Sequence, residues 1–320
     1  MNKNPYEIVL CVGKQHLQIS LITIDHIFKY LNPVRVVIIT ALNNSDHYHA
    51  IRAEYPTLDL YDEDMIIKQV SKASISLHLN RRLGDDSRAG WYFQQFLKLA
   101  AYKLVKTPYY LVWDADSIPL APIHFFLTDS IVLAQPGKEH HIPYFNTLAR
   151  LLQIPKQADH SFISEHLMIS KDHVERLIHL IAQKSVDNHW VYTILEAVAV
   201  EDLALSGFSE YETYGNYMLS QNEECIQFRE QKNTTHILST RFGSQLFGSL
   251  PRQMDLNILR DMGYHYATFE VWDNIQEKKI RKNKNLAKLY DIINQFTRLL
   301  GIKKIIKQII KKKIRTQINK

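Results

Sequence analysis

The stretch Tyr109-Tyr110-Leu111-Val112-Trp113-Asp114-Ala115-Asp116 decides how this chain reads. Five large β-favouring residues in a row predict a buried strand, and two carboxylates close it. Residues two apart in a strand point the same way, so Asp114 and Asp116 leave its carboxyl end together. Ser117-Ile118-Pro119 follows, and Pro119 disfavours a helix there, so helix capping does not explain the pair. In open α/β sheets that edge is where ligands bind. Two hard oxygen ligands suit Mg²⁺ or Mn²⁺, with water and phosphate oxygens completing the shell. Spacing alone is weak evidence, because Asp62-Glu63-Asp64 repeats it. That second pair precedes Met65–Val70, where capping of a helix and its dipole account for it.

Upstream, strand-like and helix-like segments alternate. Tyr6–Val12 and Val34–Thr40 read as buried strands, with a helix over His16–Tyr30 between them. Ser45–Tyr55 reads as a helix, Leu58–Tyr61 as a short apolar piece, and Asp62 or Asp64 to Val70 as another helix. Ser71–Arg88 is polar and irregular, a loop candidate. Gly90–Val105 is a helix. This alternation predicts an α/β fold with a mostly parallel central sheet and helices on both faces. Downstream, Ile131–Ala134, Phe162–Ile169, His236–Ser239 and Tyr264–Phe269 read as strands. Lys171–Gln183, Asn188–Val200 and Ser209–Leu219 read as helices.

Four groups of residues accompany the carboxylate pair. On the helix before it, Trp91, Gln94, Gln95 and Lys98 fall at i, i+3, i+4 and i+7 and share one face. Lys98 can offset phosphate charge, the glutamines can orient a sugar or base, and a solvated face is the competing reading. Gly90 at the helix start allows close backbone approach. Arg81, Arg82 and Arg88 are candidate diphosphate contacts. Ser164-Glu165-His166 sits in an otherwise apolar strand, where Glu165 and His166 are a satisfied structural pair or an acceptor-recognition and catalytic-base pair. If Ser209 caps a helix, Glu210 lies in its first turn, which keeps a carboxylate ionised and suits a general base, with simple capping as the competing reading. His236, ahead of His265, is the candidate third metal ligand.

Charge divides the chain. Residues 277–320 carry 15 Lys/Arg against 2 Asp/Glu, whereas the whole chain is only +6. The body, 1–276, is mildly acidic and the tail strongly basic. Leu286, Leu289, Ile292, Ile293 and Phe296, then Ile302, Ile305, Ile306, Ile309 and Ile310, recur at three and four, opposite lysines. That is a basic amphipathic helix, or two hinged at Gly301, and residues 284–320 are expected on an anionic membrane surface. The alternative is a helix packed on the body. Nucleic acid is not an expected partner, because an isoleucine stripe wants hydrocarbon or protein. No apolar run approaches the roughly twenty residues of a membrane span, and no signal peptide is read at the start. Cys11 and Cys225 make no disulfide framework, consistent with a cytoplasmic chain.

Four blocks then carry a resemblance: Gly90-Trp-Tyr-Phe-Gln-Gln-Phe-Leu-Lys98, Tyr110-Leu-Val-Trp-Asp-Ala-Asp116, Phe162-Ile-Ser-Glu-His166, and Phe208-Ser-Glu-Tyr-Glu-Thr-Tyr-Gly-Asn-Tyr217. In that order they resemble a bacterial nucleotide-sugar glycosyltransferase of GT-A type, and more narrowly a DxD-containing family from surface-polysaccharide gene clusters. The resemblance covers roughly residues 6–270. It implies a Rossmann-like GT-A domain over 1–276, with a nucleotide-sugar half (1–120) and an acceptor half (121–276). It implies hexosyl transfer from a nucleoside-diphosphate sugar to a saccharide or lipid-linked acceptor. Asp114 and Asp116 would meet the metal on the diphosphate, and Glu210 would be the base if the reaction inverts. The first strand departs from such enzymes by ending Cys11-Val-Gly-Lys-Gln15 instead of in a Thr/Ser-rich loop. The tail would place the enzyme on the inner face of the membrane. The same carboxylate pair would serve a metal-dependent nucleotidyltransferase or pyrophosphatase, and a non-catalytic saccharide-binding module is the third reading.

Overall fold

A computed structural model describes residues 4–184, 189–221, 225–230, 236–270 and 277–296, with 308, 309 and 312. In chain order the elements run β1 (Tyr6–Cys11), α1 (Leu17–Tyr30), β2 (Arg35–Thr40), α2 (His49–Glu54), β3 (Leu58–Asp62), α3 (Lys72–Leu83), α4 (Ala89–Ala100), β4 (Tyr109–Trp113), β5 (Ser117–Pro119), β6 (Val132–Ala134) and α5 (Ile142–Leu152). There follow β7 (His166–Ser170), α6 (Lys171–Ala182), α7 (Trp190–Ala197), α8 (Val200–Leu203), α9 (Glu210–Ser220), β8 (Ile226–Phe228), β9 (Ser239–Thr240), α10 (Gly243–Phe247), α11 (Gln253–Asp261), β10 (Tyr266–Thr268) and α12 (Glu277–Phe296). They form two compact units that interleave in sequence. One comprises Met1–Gly13, Pro33–Asp114 and His124–Thr235, the other Lys14–Asn32, Ala115–Ile123 and His236–Lys320.

The first unit holds a five-stranded sheet ordered β3-β2-β1-β4-β7. Its first four strands are parallel, with Val9 opposite Val37 and Val112, and Ile38 opposite Leu60. Every residue of β1 and β2 is buried, as expected of parallel strands covered on both faces. β7 joins antiparallel, pairing His166 with Trp113. The sheet order reverses at β1: β2 and β3 lie on one side and β4 on the other.

Acidic and basic groups tie the amino edge of this sheet. Glu7, 1% exposed, accepts from the backbone N–H groups of Lys106 and Thr107 and from Arg35. Arg35 also reaches Asp59 at 2.6 Å and the Leu104 carbonyl. Both ions are thereby paired, and the loop before β4 has its backbone donors satisfied.

Three local expectations are corrected. The loop expected over Ser71–Arg88 is mostly the helix α3. Ser71 and Ser74 form a reciprocal capping box, and Gly84 ends the helix at φ 76°. Its buried stripe is only Ile75 and Leu79, too narrow for periodicity to show it. The helix expected after Asp62 is instead a single 3₁₀ turn, Glu63–Met65, capped by the Asp62 carboxylate. The strand expected from Phe162 starts at His166, because Glu165 sits in the left-handed region at φ 64° and breaks extension.

The second unit packs α1, α10, α11 and α12 with the sheet β5-β10-β9. Its core includes Ile19, Ile118, Leu246, Leu256, Leu259, Phe269 and Ala287. Thr23 Oγ1 donates to the Ala115 carbonyl at 2.8 Å. The stretch expected to lie on a membrane starts inside a packed helix: Ala287 of α12 is buried, Asn283 donates to the Leu246 carbonyl, and Arg252 donates to that of Lys284. Packing on the body thus accounts for the first turns of the tail. Leu289 is half exposed. Gly301 and most of the isoleucine stripe lie outside the described residues. Among the described residues no helix is long and apolar enough to cross a membrane.

Candidate active site

The carboxyl ends of β1 and β4 are neighbours in the sheet, so Cys11 and Asp114 come to one edge, where the strand order reverses. α4 packs beside β1, and its Gln94 Nε2 donates to the Cys11 carbonyl at 2.9 Å. One turn further along α4, Lys98 extends its ammonium to Asp114 Oδ1 at 2.8 Å. The same Nζ donates to Glu210 Oε1 at 2.8 Å and contacts the Tyr211 hydroxyl at 3.4 Å. Tyr211 donates in turn to Asp114 Oδ1 at 3.1 Å, and its ring lies 4.6 Å under the ammonium. Three elements distant in sequence therefore close one network of Lys98, Asp114, Glu210 and Tyr211.

Its electrostatics follow from burial. Lys98 is 4% exposed and Glu210 1%, whereas the Asp114 side chain keeps 28%. Burial alone would lower the Lys98 pKa, but the charges of Asp114 and Glu210 outweigh it and hold the ammonium well above its ordinary value. Burial raises Glu210, against the pull of Lys98. Burial likewise raises the Tyr211 phenol, so it stays a neutral donor. One ammonium is thus shared between two carboxylates, of which Asp114 keeps an exposed face.

α9 supports this arrangement. Ser209 caps it by accepting from the Glu212 N–H, and every residue from Glu210 to Met218 is buried. Glu212 accepts from Ser161 Oγ, the Phe162 N–H and Asn216, and the Tyr214 hydroxyl accepts from the Ser170 N–H. Gly215 lies against Phe162, whose ring carbons stand 2.3 Å from where a Cβ would sit.

The remaining candidates are scattered. In the second unit, Asp116 is 6% exposed, and His16 Nε2 approaches its Oδ2 at 3.7 Å. His236 is exposed, in the approach to β9, and His265 Nδ1 accepts from the Leu238 N–H. Among the described residues no group of three or more His, Cys, Asp or Glu side chains converges as a metal site. Gln95 is buried, and Gly90 lies in the first turn of α4 against the Lys72 side chain. Arg82 is turned to other work than a diphosphate: it donates to the carbonyls of Leu195 and Val198 and faces Glu196. Arg88 lies over the Trp91 ring at 4.7 Å and donates to Ser206.

Glu165 presents its carbonyl to the Asp114 N–H at 2.9 Å. His166 stacks on Trp113 at 4.9 Å and meets the Phe125 ring edge-on. It is 2% exposed, and burial, with Arg229 nearby, pushes its imidazole down to about 3. A neutral ring thus sits inside the core, at the position that the sequence left open between a structural pair and a catalytic role. Two polar side chains escaped the sequence reading, one in each unit. Tyr211 adjoins Glu210 in the acidic helix start, and His16 follows the Gly13-Lys14-Gln15 turn off β1. Their position just past a strand end and a helix cap was the available signal.

Among solved structures, a crystal structure of galactosyltransferase LgtC with donor and acceptor sugar analogs matches 88% of this chain and 95% of its own length. The identity is 10% and the TM-score 0.46, a likeness too slight to argue from. No curated protein matches the sequence. The family model described as "Family of unknown function (DUF6492)" matches residues 23–244, well over half of the chain, and the chain belongs to that family.

Proposed function

We propose that this chain is a metal-dependent glycosyltransferase of hexosyl type, moving sugar from a nucleoside-diphosphate donor to a saccharide or lipid-linked acceptor at the inner membrane face. The observation that carries this reading is Asp114 at the carboxyl end of β4, where the strand order reverses beside β1, held by Lys98 and Tyr211. The donor chemistry suits a hard cation. Lys98 and Tyr211 both take Oδ1 of Asp114, which leaves Oδ2 of a partly exposed carboxylate as the ligand atom, with Asp116 two residues on. A hard cation such as Mn²⁺ or Mg²⁺ would be held by Asp114, with substrate phosphate and water finishing its shell. When bound, such an ion neutralises charge on the departing diphosphate.

The chain's own residues do the rest. Lys98 fixes the Asp114 rotamer instead of reaching phosphate itself. Glu210 acts through Lys98 as a positioning residue, since its carboxylate is buried and engaged there. Gln94 braces α4 on the carboxyl end of β1 by donating to the Cys11 carbonyl. With His166 in the core, acceptor deprotonation falls to Glu210 only in a state in which it leaves Lys98.

Incubating a nucleotide-sugar panel with Mn²⁺, Mg²⁺ or EDTA, with wild type, Asp114→Asn and Asp116→Ala, tests the reading. One donor should release intact nucleoside diphosphate only with metal, and both variants should lose at least about a hundredfold. Release of nucleoside monophosphate would move the assignment to a pyrophosphatase or nucleotidyltransferase. Metal-independent turnover unchanged in both variants would overturn it.

A further inference from the structure

A cleft lies in the first unit, on helices that the Lys98 network does not use. α3, the end of α5, Lys184 after α6, and α7 enclose a cleft of about 730 Å³. That volume is in the range of small-ligand sites. One wall is aromatic: the Tyr192 ring lies 5.4 Å from that of His78 and 5.1 Å from that of His189. The rim is cationic, with Arg81, Arg150 and Lys184 all lining the cleft. Among the described residues the single lining carboxylate, Glu196, is already met by His78 at 3.2 Å and by Arg82 at 3.7 Å. Arg150 is oriented by one donation, from Nη1 to the Ala197 carbonyl at 2.9 Å. Ser74 and Thr193 add hydroxyls.

We propose that this cleft, lined by Tyr192, Arg81, Arg150 and Lys184, binds an acidic saccharide, a sugar ring bearing carboxylate or phosphate. Among the described residues, three lining cations stand against one carboxylate that Arg82 already faces, which selects an anion. Guanidinium groups match carboxylate and phosphate oxygens in bidentate fashion. The planar wall offers the ring a face to pack on. Tyr192 is tilted 38° and 52° to its two neighbours, so no parallel pair is present to sandwich a nucleobase. A sugar, which packs on one face and bonds outward through hydroxyls, fits that shape better. The site stands independently of the chemistry assigned to Asp114.

Calorimetric titration of the full chain with a galacturonate oligomer, a neutral galactose oligomer, a hexose phosphate and uridine monophosphate tests this. The galacturonate oligomer or the hexose phosphate should bind, the neutral oligomer at least about tenfold more weakly, and affinity should fall as salt rises. The arms separate carboxylate from phosphate as the anionic group. Arg81→Ala with Lys184→Ala, two exposed positions, should weaken binding about tenfold, and Tyr192→Ala should do so without changing the salt slope. Asp114→Asn should bind as wild type, which keeps failure here distinct from failure of the glycosyltransferase reading. Equal binding of neutral and acidic oligomers, tightest binding by uridine monophosphate, indifference to the Arg81/Lys184 pair, or no binding in any arm would each overturn it.

Discussion

Replacing Lys98 by Met removes the one cation of the Lys98 network while keeping the length of its stem. Each of its two ion pairs spans 2.8 Å. At an effective dielectric of about 20, each is worth roughly 6 kcal/mol of gross attraction. Desolvation of the ions offsets much of that, and breaking a buried pair from one side costs about 3–5 kcal/mol. The cost is concentrated on Glu210: Asp114 can rehydrate through its exposed face, but Glu210 is 1% exposed and cannot. Urea unfolding followed by far-UV circular dichroism should therefore show a loss of about 3–5 kcal/mol, a midpoint shift of roughly 1–2 M. Adding Glu210→Gln removes the stranded charge, so the double variant should be more stable than Lys98→Met alone. A single variant within about 1 kcal/mol of wild type, or a double variant no better than the single, would refute the coupling of these groups.

Two further outcomes test the support of the site. Burial raises Glu212 above the ordinary carboxylate value, against donation from Ser161, Phe162 and Asn216. The folded state then binds its proton more tightly than the unfolded chain, so its contribution is full below about pH 4.3 and is lost as pH rises through the raised value. Glu212→Gln should consequently become more stable relative to wild type as pH rises across that window, measured by urea titration at several pH values, and a difference independent of pH would contradict the assignment. Gly215→Ala should destabilise by about 1–3 kcal/mol, since the added methyl meets the Phe162 ring; a neutral melting temperature would show that the helix can shift away from Phe162 at no cost.

The parallel core was legible because it depends on local composition. Ile8–Cys11, Val36–Ile39 and Leu111–Trp113 are short continuous apolar runs, as expected of strands buried on both faces. α3 was not, because its stability comes from the Ser71–Ser74 box and two buried residues, neither of which makes a periodic stripe. The break at Glu165 was hidden for a related reason: a positive φ at a non-glycine residue leaves no compositional mark. At the site, Lys98, Asp114 and Glu210 were each singled out by type and position. That one ammonium holds both carboxylates was not legible, since Lys98 and Glu210 are 112 residues apart and only the packing of α9 brings them together. Their expected roles of contacting phosphate and abstracting a proton were read as if each side chain stood alone.

Two buried ionic networks in one unit invite comparison, and their partners separate their purposes. At the amino edge of the sheet, Glu7 accepts from two backbone N–H groups and Arg35 donates to a backbone carbonyl, so those ions close a loop whose polar groups would otherwise be stranded. At the carboxyl edge, the Lys98 ammonium meets only side chains: Asp114, Glu210 and Tyr211. No backbone group depends on it. Apolar residues of similar volume would commonly hold such a spot with equal or greater stability. A buried cation that fixes a carboxylate through side chains alone is explained by what that carboxylate is fixed for. Asp114 is the member that keeps solvent exposure, and it stands at the switch point of the sheet. The stability cost therefore falls on the one arrangement that presents a rigid, partly exposed anion where a ligand would arrive.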